Sequence, residues 1–134
     1  MKKILMICAL CFTIATHAYA EGCAGGHGTV VVGNDGKNYC KSKVGLNWWS
    51  AHAWCVANGM KLIDTDKNCA CTGNEKCNEL VSCPNFYQVS SGHGWTANPN
   101  GSSGAYLVKL DSGDIYVNNR KEYYFYVNYS ALCF

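Results

Sequence analysis

Cysteine and histidine carry most of the reactive chemistry available to this chain. Ten cysteines are present, and Cys69-x-Cys71, Cys77 and Cys83 bring four of them into one short segment. Four clustered thiols suit a zinc ion in a reducing compartment or disulfides in an oxidising one. His27 and His93 each sit in Gly-His-Gly, and His52 stands apart from both. Three separated histidines without acidic partners make a poor metal site. No serine or cysteine has a nucleophile context, and no carboxylates are paired for hydrolysis. Neither catalysis nor a cofactor is expected. A binding chemistry is better supplied. Trp95, Tyr116, Tyr124 and Tyr126 offer aromatic faces, while Asn98, Asn118 and Asn119 offer amides. Aromatic faces cover flat apolar patches and amides read hydroxyls, so such a surface suits a glycan or an extracellular protein.

The compartment decides between zinc and disulfides. Lys2 and Lys3 precede an apolar run from Ile4 to Ala15, and the segment closes on Ala18-Tyr19-Ala20. This is the layout of a secretory signal peptide over residues 1–20, in the style of a bacterial export signal, and its apolar run is too short to span a bilayer. Removal leaves one domain over residues 21–134, secreted or periplasmic, with no membrane span. The formal charge of +2 resides in the two signal lysines. The mature domain is neutral, which argues against nucleic acid or an anionic membrane as partner. Cys8 and Cys11 leave with the signal. Eight cysteines remain, an even set in an exported chain that reads as four disulfides rather than a metal site.

These groups need a scaffold, and its elements are legible in outline. Thr29 to Val32, the turn cluster Gly33-Asn34-Asp35-Gly36 and Lys37 to Lys41 predict a β-hairpin. Asn47 as N-cap and Gly59 just past the end delimit a helix. Trp48, Ala51 and Cys55 fall on its core side with Trp54 adjacent, so the tryptophans read as packing. Residues 64–94 are polar and irregular, with a short helix expected over 74–80. So long a stretch in a small domain implies covalent stapling. Beyond Trp95 the pattern is of short strands. In Ala105 to Leu110, Tyr106, Val108 and Leu110 share a face; Ile115 to Val117 follows the turn Asp111-Ser112-Gly113-Asp114. In Tyr123 to Cys133, Phe125, Val127, Tyr129, Ala131 and Cys133 lie on one side, with Tyr124 and Tyr126 on the other. The fold class is α+β: an N-terminal hairpin and helix, a stapled loop region, then an antiparallel sheet.

The helix segment also resembles the first helix of C-type lectin-like domains. That family shows Trp, Ala, Cys, Gly and Leu at the offsets occupied here by Trp48, Ala51, Cys55, Gly59 and Leu62. Tyr39-Cys40 and the closing Ala-Leu-Cys-Phe around Cys133 are similar to the family's first and last strands, as is Trp95-Thr96-Ala97-Asn98 to short secreted bacterial domains of this fold. The resemblance implies Cys55–Cys133 as the principal disulfide, joining a core-facing helix cysteine to an inward strand cysteine. It implies Cys23–Cys40 as a tie on the hairpin, as in longer members. Cys69, Cys71, Cys77 and Cys83 then pair among themselves in one of three ways.

Sugar-binding members hold calcium through Glu-Pro-Asn or Gln-Pro-Asp and a later Trp-Asn-Asp. Here Asn98-Pro99-Asn100 and Val117-Asn118-Asn119 stand in the comparable places without the carboxylates that calcium affinity requires. The expectation is a non-catalytic, calcium-independent binding module, with Asn100 joining the ligand-contacting residues named above. The alternative is a structural or inhibitory disulfide-rich envelope or extracellular protein that engages a protein partner through residues 64–94.

Overall fold

The structure is a computed structural model and describes residues 22–70, 81–123 and 129–134. After a 3₁₀ turn at Ala24–Gly26, the chain forms β1 (Gly28–Val32) and β2 (Asn38–Ser42), then α1 (Trp48–Ala57) and the short α2 (Thr65–Asn68). Five strands follow: β3 (Ser82–Tyr87), β4 (His93–Asn100), β5 (Gly104–Lys109), β6 (Ser112–Asn119) and β7 (Tyr129–Cys133). The fold is mixed α+β with a seven-stranded sheet in the order β1-β2-β7-β4-β5-β6-β3. All neighbours are antiparallel except β4 and β7, which run parallel with Trp95 opposite Ala131. The last strand thus lies in the middle of the sheet and joins the N-terminal hairpin to the C-terminal strands.

The hairpin and α1 form where local chemistry places them. Val30 pairs with Cys40 across the hairpin, and the Asp35 carboxylate accepts from the Lys37 N–H and the Tyr39 hydroxyl within the turn. The Asn47 side chain accepts from Ser50 N at 2.9 Å, satisfying one of the unpaired donors of the first turn. Gly59, at φ 71°, ends the helix in the left-handed region where a side chain is strained.

Hydrophobic side chains gather on both faces of the sheet. Under α1 lie Ala51, Cys55, Leu62, Trp95, Leu107 and Ala131, with Trp48 and Trp54 packed against them. On the opposite face Tyr39, Ile63, Phe86, Val108, Leu110 and Leu132 form a second cluster. Val108 and Leu110 therefore point inward as their alternation indicates, but so do Ala105 and Leu107 on the other side, because α1 covers that face. The parallel β4–β7 pair is tightly apposed. A Cβ added at Gly94 would lie 2.7 Å from the Leu132 Cβ.

Three disulfides lie among the described residues. Cys55–Cys133 joins α1 to β7, Cys23–Cys40 ties the segment before β1 to β2, and Cys69–Cys83 joins the end of α2 to β3. The last selects one partner for Cys69. Cys71 and Cys77, with the helix expected over 74–80, lie outside the described residues, as does residues 1–20. No described helix is long and apolar enough to cross a membrane.

The segment 64–94 corrects the expectation of irregular structure, for it contains α2 and the edge strand β3. Pro84 hides that strand in sequence, yet an edge position tolerates a residue without an N–H. Asn85, almost wholly buried, locks it down. Its amide donates to the Tyr39 hydroxyl and to Asn68 O at 2.7 Å, while its oxygen accepts from Asp35 N. Asn34 donates to Pro84 O and Tyr87 O, so the hairpin turn docks directly onto β3.

Candidate functional site

Strand alternation decides which polar and aromatic groups meet. Along β4, His93 and Trp95 share the face that α1 covers at one end only. Register places His93 opposite Tyr129 of β7, and Leu107 opposite Tyr116 of β6. Beyond the end of α1 this face therefore presents His93 between two tyrosines. Its ring meets Tyr129 edge-on at 5.3 Å and Tyr116 at 5.9 Å between centroids. Asn118 lies on the same face of β6 as Tyr116, and its amide donates to the Tyr129 hydroxyl at 2.7 Å. Tyr116 remains 46% exposed, and His93, Asn118 and Tyr129 are half-buried.

Beneath this cluster Trp95 forms the floor, 5.6 Å from Tyr129. It is fully buried and donates from Nε1 to Leu46 O at 2.7 Å. The expectation of Trp95 as a ligand contact is thus corrected. Both its indole faces are spent on the core, and it acts on the site only by supporting Tyr129. Arg120 secures the end of β6. It stacks over Trp48 at 4.7 Å and donates to Gly104 O and Gly101 O, while its own carbonyl accepts from Trp48 N.

Burial holds the His93 imidazole below its ordinary pKa, helped by Lys109 and Lys41 and opposed by Asp111. The ring is therefore neutral at pH 7, and its buried Nδ1 has no hydrogen-bond partner among the described residues. A neutral imidazole, two phenols and an amide on one floor form a surface that covers apolar rings and exchanges hydrogen bonds with hydroxyls.

The other expected residues divide. Asn98 is drawn to α2, where its oxygen accepts from Thr65 N at 3.0 Å. Asn100 donates to the Tyr106 hydroxyl at 2.7 Å, on the far face from Tyr116. Asn119 follows Asn118 by one position and so leaves that face; its oxygen accepts from Lys121 N in the turn. Tyr124 and Tyr126 lie outside the described residues. The structure thus brings together Tyr116 and Asn118, and adds His93 and Tyr129. His93 falls in the 64–94 stretch expected to be irregular, yet it opens β4, where Gly94 is required by the close approach of Leu132. Tyr129 had a visible signal, its place in the inward alternation of the last strand. No protein-family model and no curated protein matches this chain.

Proposed function

We propose that the chain is an exported, non-catalytic binding module of the C-type lectin-like type, and that the His93–Tyr116–Tyr129–Asn118 face takes a glycan without calcium. The disulfide from Cys55 to Cys133 supports the fold assignment, because it ties the helix carrying Trp48, Ala51 and Cys55 to the last strand. The observation that carries the function is the cluster itself: two tyrosine edges around a neutral imidazole, with an amide at hydrogen-bond distance from one phenol.

The way the Asn residues are used supports calcium independence. The Asn98 oxygen is occupied by Thr65 N, and the Asn118 oxygen by Asn119 N. Asp111, a nearby carboxylate, is paired with Lys109 at 3.7 Å. A hard cation would have to displace these contacts and would still lack charged ligands. Glycan-array binding by the oxidised chain, in calcium and in chelator, tests the reading. Equal binding in both buffers is expected, reduced about tenfold by Tyr116→Ala, in line with the ~1 kcal/mol scale of an aromatic contact. Binding lost in chelator, or no glycan bound at all, contradicts it.

A second reading, partner binding through the 64–94 segment, has one observation in its favour. The Cys69–Cys83 bridge fixes the two residues that flank the segment 70–82, with their Cα atoms 4.5 Å apart. Deleting residues 71–80 distinguishes the readings: glycan binding survives under the first, and all binding disappears under the second.

A further inference from the structure

The sequence of α1, Trp48 to Ala57, contains no charged residue in either its first or its last turn. A helix that is apolar all round belongs in a core, yet this one lies on the surface. Trp49, Ala53 and Val56 recur at i, i+4 and i+7 and form its outward stripe. Trp49 is 50% exposed and Val56 69%.

At the C-terminal end of that stripe the surface opens into two clefts. One, of about 200 Å³, is lined by His52 and Val56 from α1 together with Lys61, Leu62, Lys67 and Phe134. The other, of about 400 Å³, continues past Lys67 and Phe134 to Lys37, Asn38 and Tyr39. Phe134, 42% exposed, stands between them, held by paired backbone hydrogen bonds with Lys61. Three lysines border the clefts, against one side-chain carboxylate, Asp64, whose oxygen is already bonded to Asp66 N.

We propose that this helix stripe and the adjoining clefts form a docking site for an acidic segment of a partner protein. An apolar side chain of that segment seats against Val56, Leu62 and Phe134, and its carboxylates meet Lys61, Lys67 and Lys37. The charge pattern selects this occupant. A two-fold contact with a second copy brings like lysines toward one another, which is unfavourable. His52 closes the inner wall with its ring edge-on to Trp48 at 4.4 Å, and its buried Nε2 has no hydrogen-bond partner among the described residues. A backbone N–H of the bound segment is a fitting donor to that nitrogen. This surface is independent of the His93–Tyr116 face, so the two fail or succeed separately.

Panning a phage-displayed random dodecapeptide library against the oxidised chain tests the proposal. Enriched clones are expected to carry net negative charge around at least one leucine, isoleucine or phenylalanine. A synthetic peptide of the leading clone should lose at least tenfold in affinity with Lys61→Glu/Lys67→Glu, and likewise with Val56→Asp. All three positions are exposed, so the fold is retained, as circular dichroism checks. Tyr116→Ala should leave peptide affinity unchanged. Neutral or basic clones, no enrichment, or clones that bind the Val56→Asp variant as well as the parent overturn it. So does a sulfated heparin hexasaccharide that binds through the same lysines and is indifferent to Val56→Asp, which would make this an anionic-glycan surface instead.

Discussion

His52 and His93 are two groups through which pH acts on this domain near neutrality. Burial lowers the pKa of both from 6.5, and at His93 Lys109 and Lys41 add to it. The unfolded chain therefore binds protons that the folded one refuses, so stability is full above about pH 6.5 and falls as the pH drops toward the folded-state values. Urea midpoints measured from pH 8 to pH 5 should decline, and a His52→Gln/His93→Gln variant should flatten that decline. A parent curve that rises on acidification contradicts the assignment. Asp35 adds a later loss. Burial pushes its pKa up, but hydrogen bonds from Lys37 N, Tyr39 and Asn85 outweigh this and leave it lowered from 3.8. Its contribution is present above that value and disappears only below it. At this scale the sequence offered Tyr116 and Asn118 among its candidate residues without assigning them a face; β6 runs on to Asn119, so the two lie two apart on one strand and share a face. The sequence misplaced Trp95, since an aromatic residue in a strand reads the same whether it faces solvent or a helix. It missed His93, whose register opposite Tyr129 depends on a parallel pairing that no local pattern encodes.

Among the elements, those closed by local hydrogen bonds were the legible ones. The hairpin was announced by Gly33-Asn34-Asp35-Gly36 and α1 by Asn47 and Gly59, and both formed there. Asn47→Ala removes the cap to Ser50 N and is expected to cost about 1 kcal/mol in denaturant unfolding. The strand β3 was illegible because long-range contacts create it. Asn85 reaches Tyr39, Asn68 and Asp35, none of them near in sequence. Replacing Asn85 by Leu should strand the partners it leaves in the interior and lower stability by about 1–3 kcal/mol. Breaking Cys69–Cys83 with paired alanines frees a loop of sequence separation 14 and is expected to cost roughly 3 kcal/mol. The β4–β7 junction is equally specific. Gly94→Val drives a side chain into Leu132, and about 1–3 kcal/mol of overpacking should appear as a lower melting temperature.

Across the whole molecule, two cores on opposite faces of one sheet are held in register by the central strand β7. Cys55–Cys133 closes a loop of sequence separation 78 onto that strand. Constraining so long a segment of the unfolded chain is worth roughly 4–5 kcal/mol, so the paired Cys55→Ala/Cys133→Ala variant should unfold at markedly lower urea than the parent. The α+β class was anticipated from the pattern of elements, and this bridge from the resemblance of the helix and the last strand to C-type lectin-like domains. The central position of β7 was not, since strand order follows from the crossover and not from any segment's pattern. That crossover has a functional consequence: it delivers Tyr129 beside His93, on the part of the face that α1 leaves open. The most direct measurement is a two-dimensional ¹⁵N–¹H titration of the oxidised domain with the best glycan from the array, in chelator. Shifts centred on His93, Tyr116, Asn118 and Tyr129, absent in Tyr116→Ala, are expected. Shifts centred instead on the hairpin turn or on α2, with the His93 face silent, would contradict the proposal that this face binds.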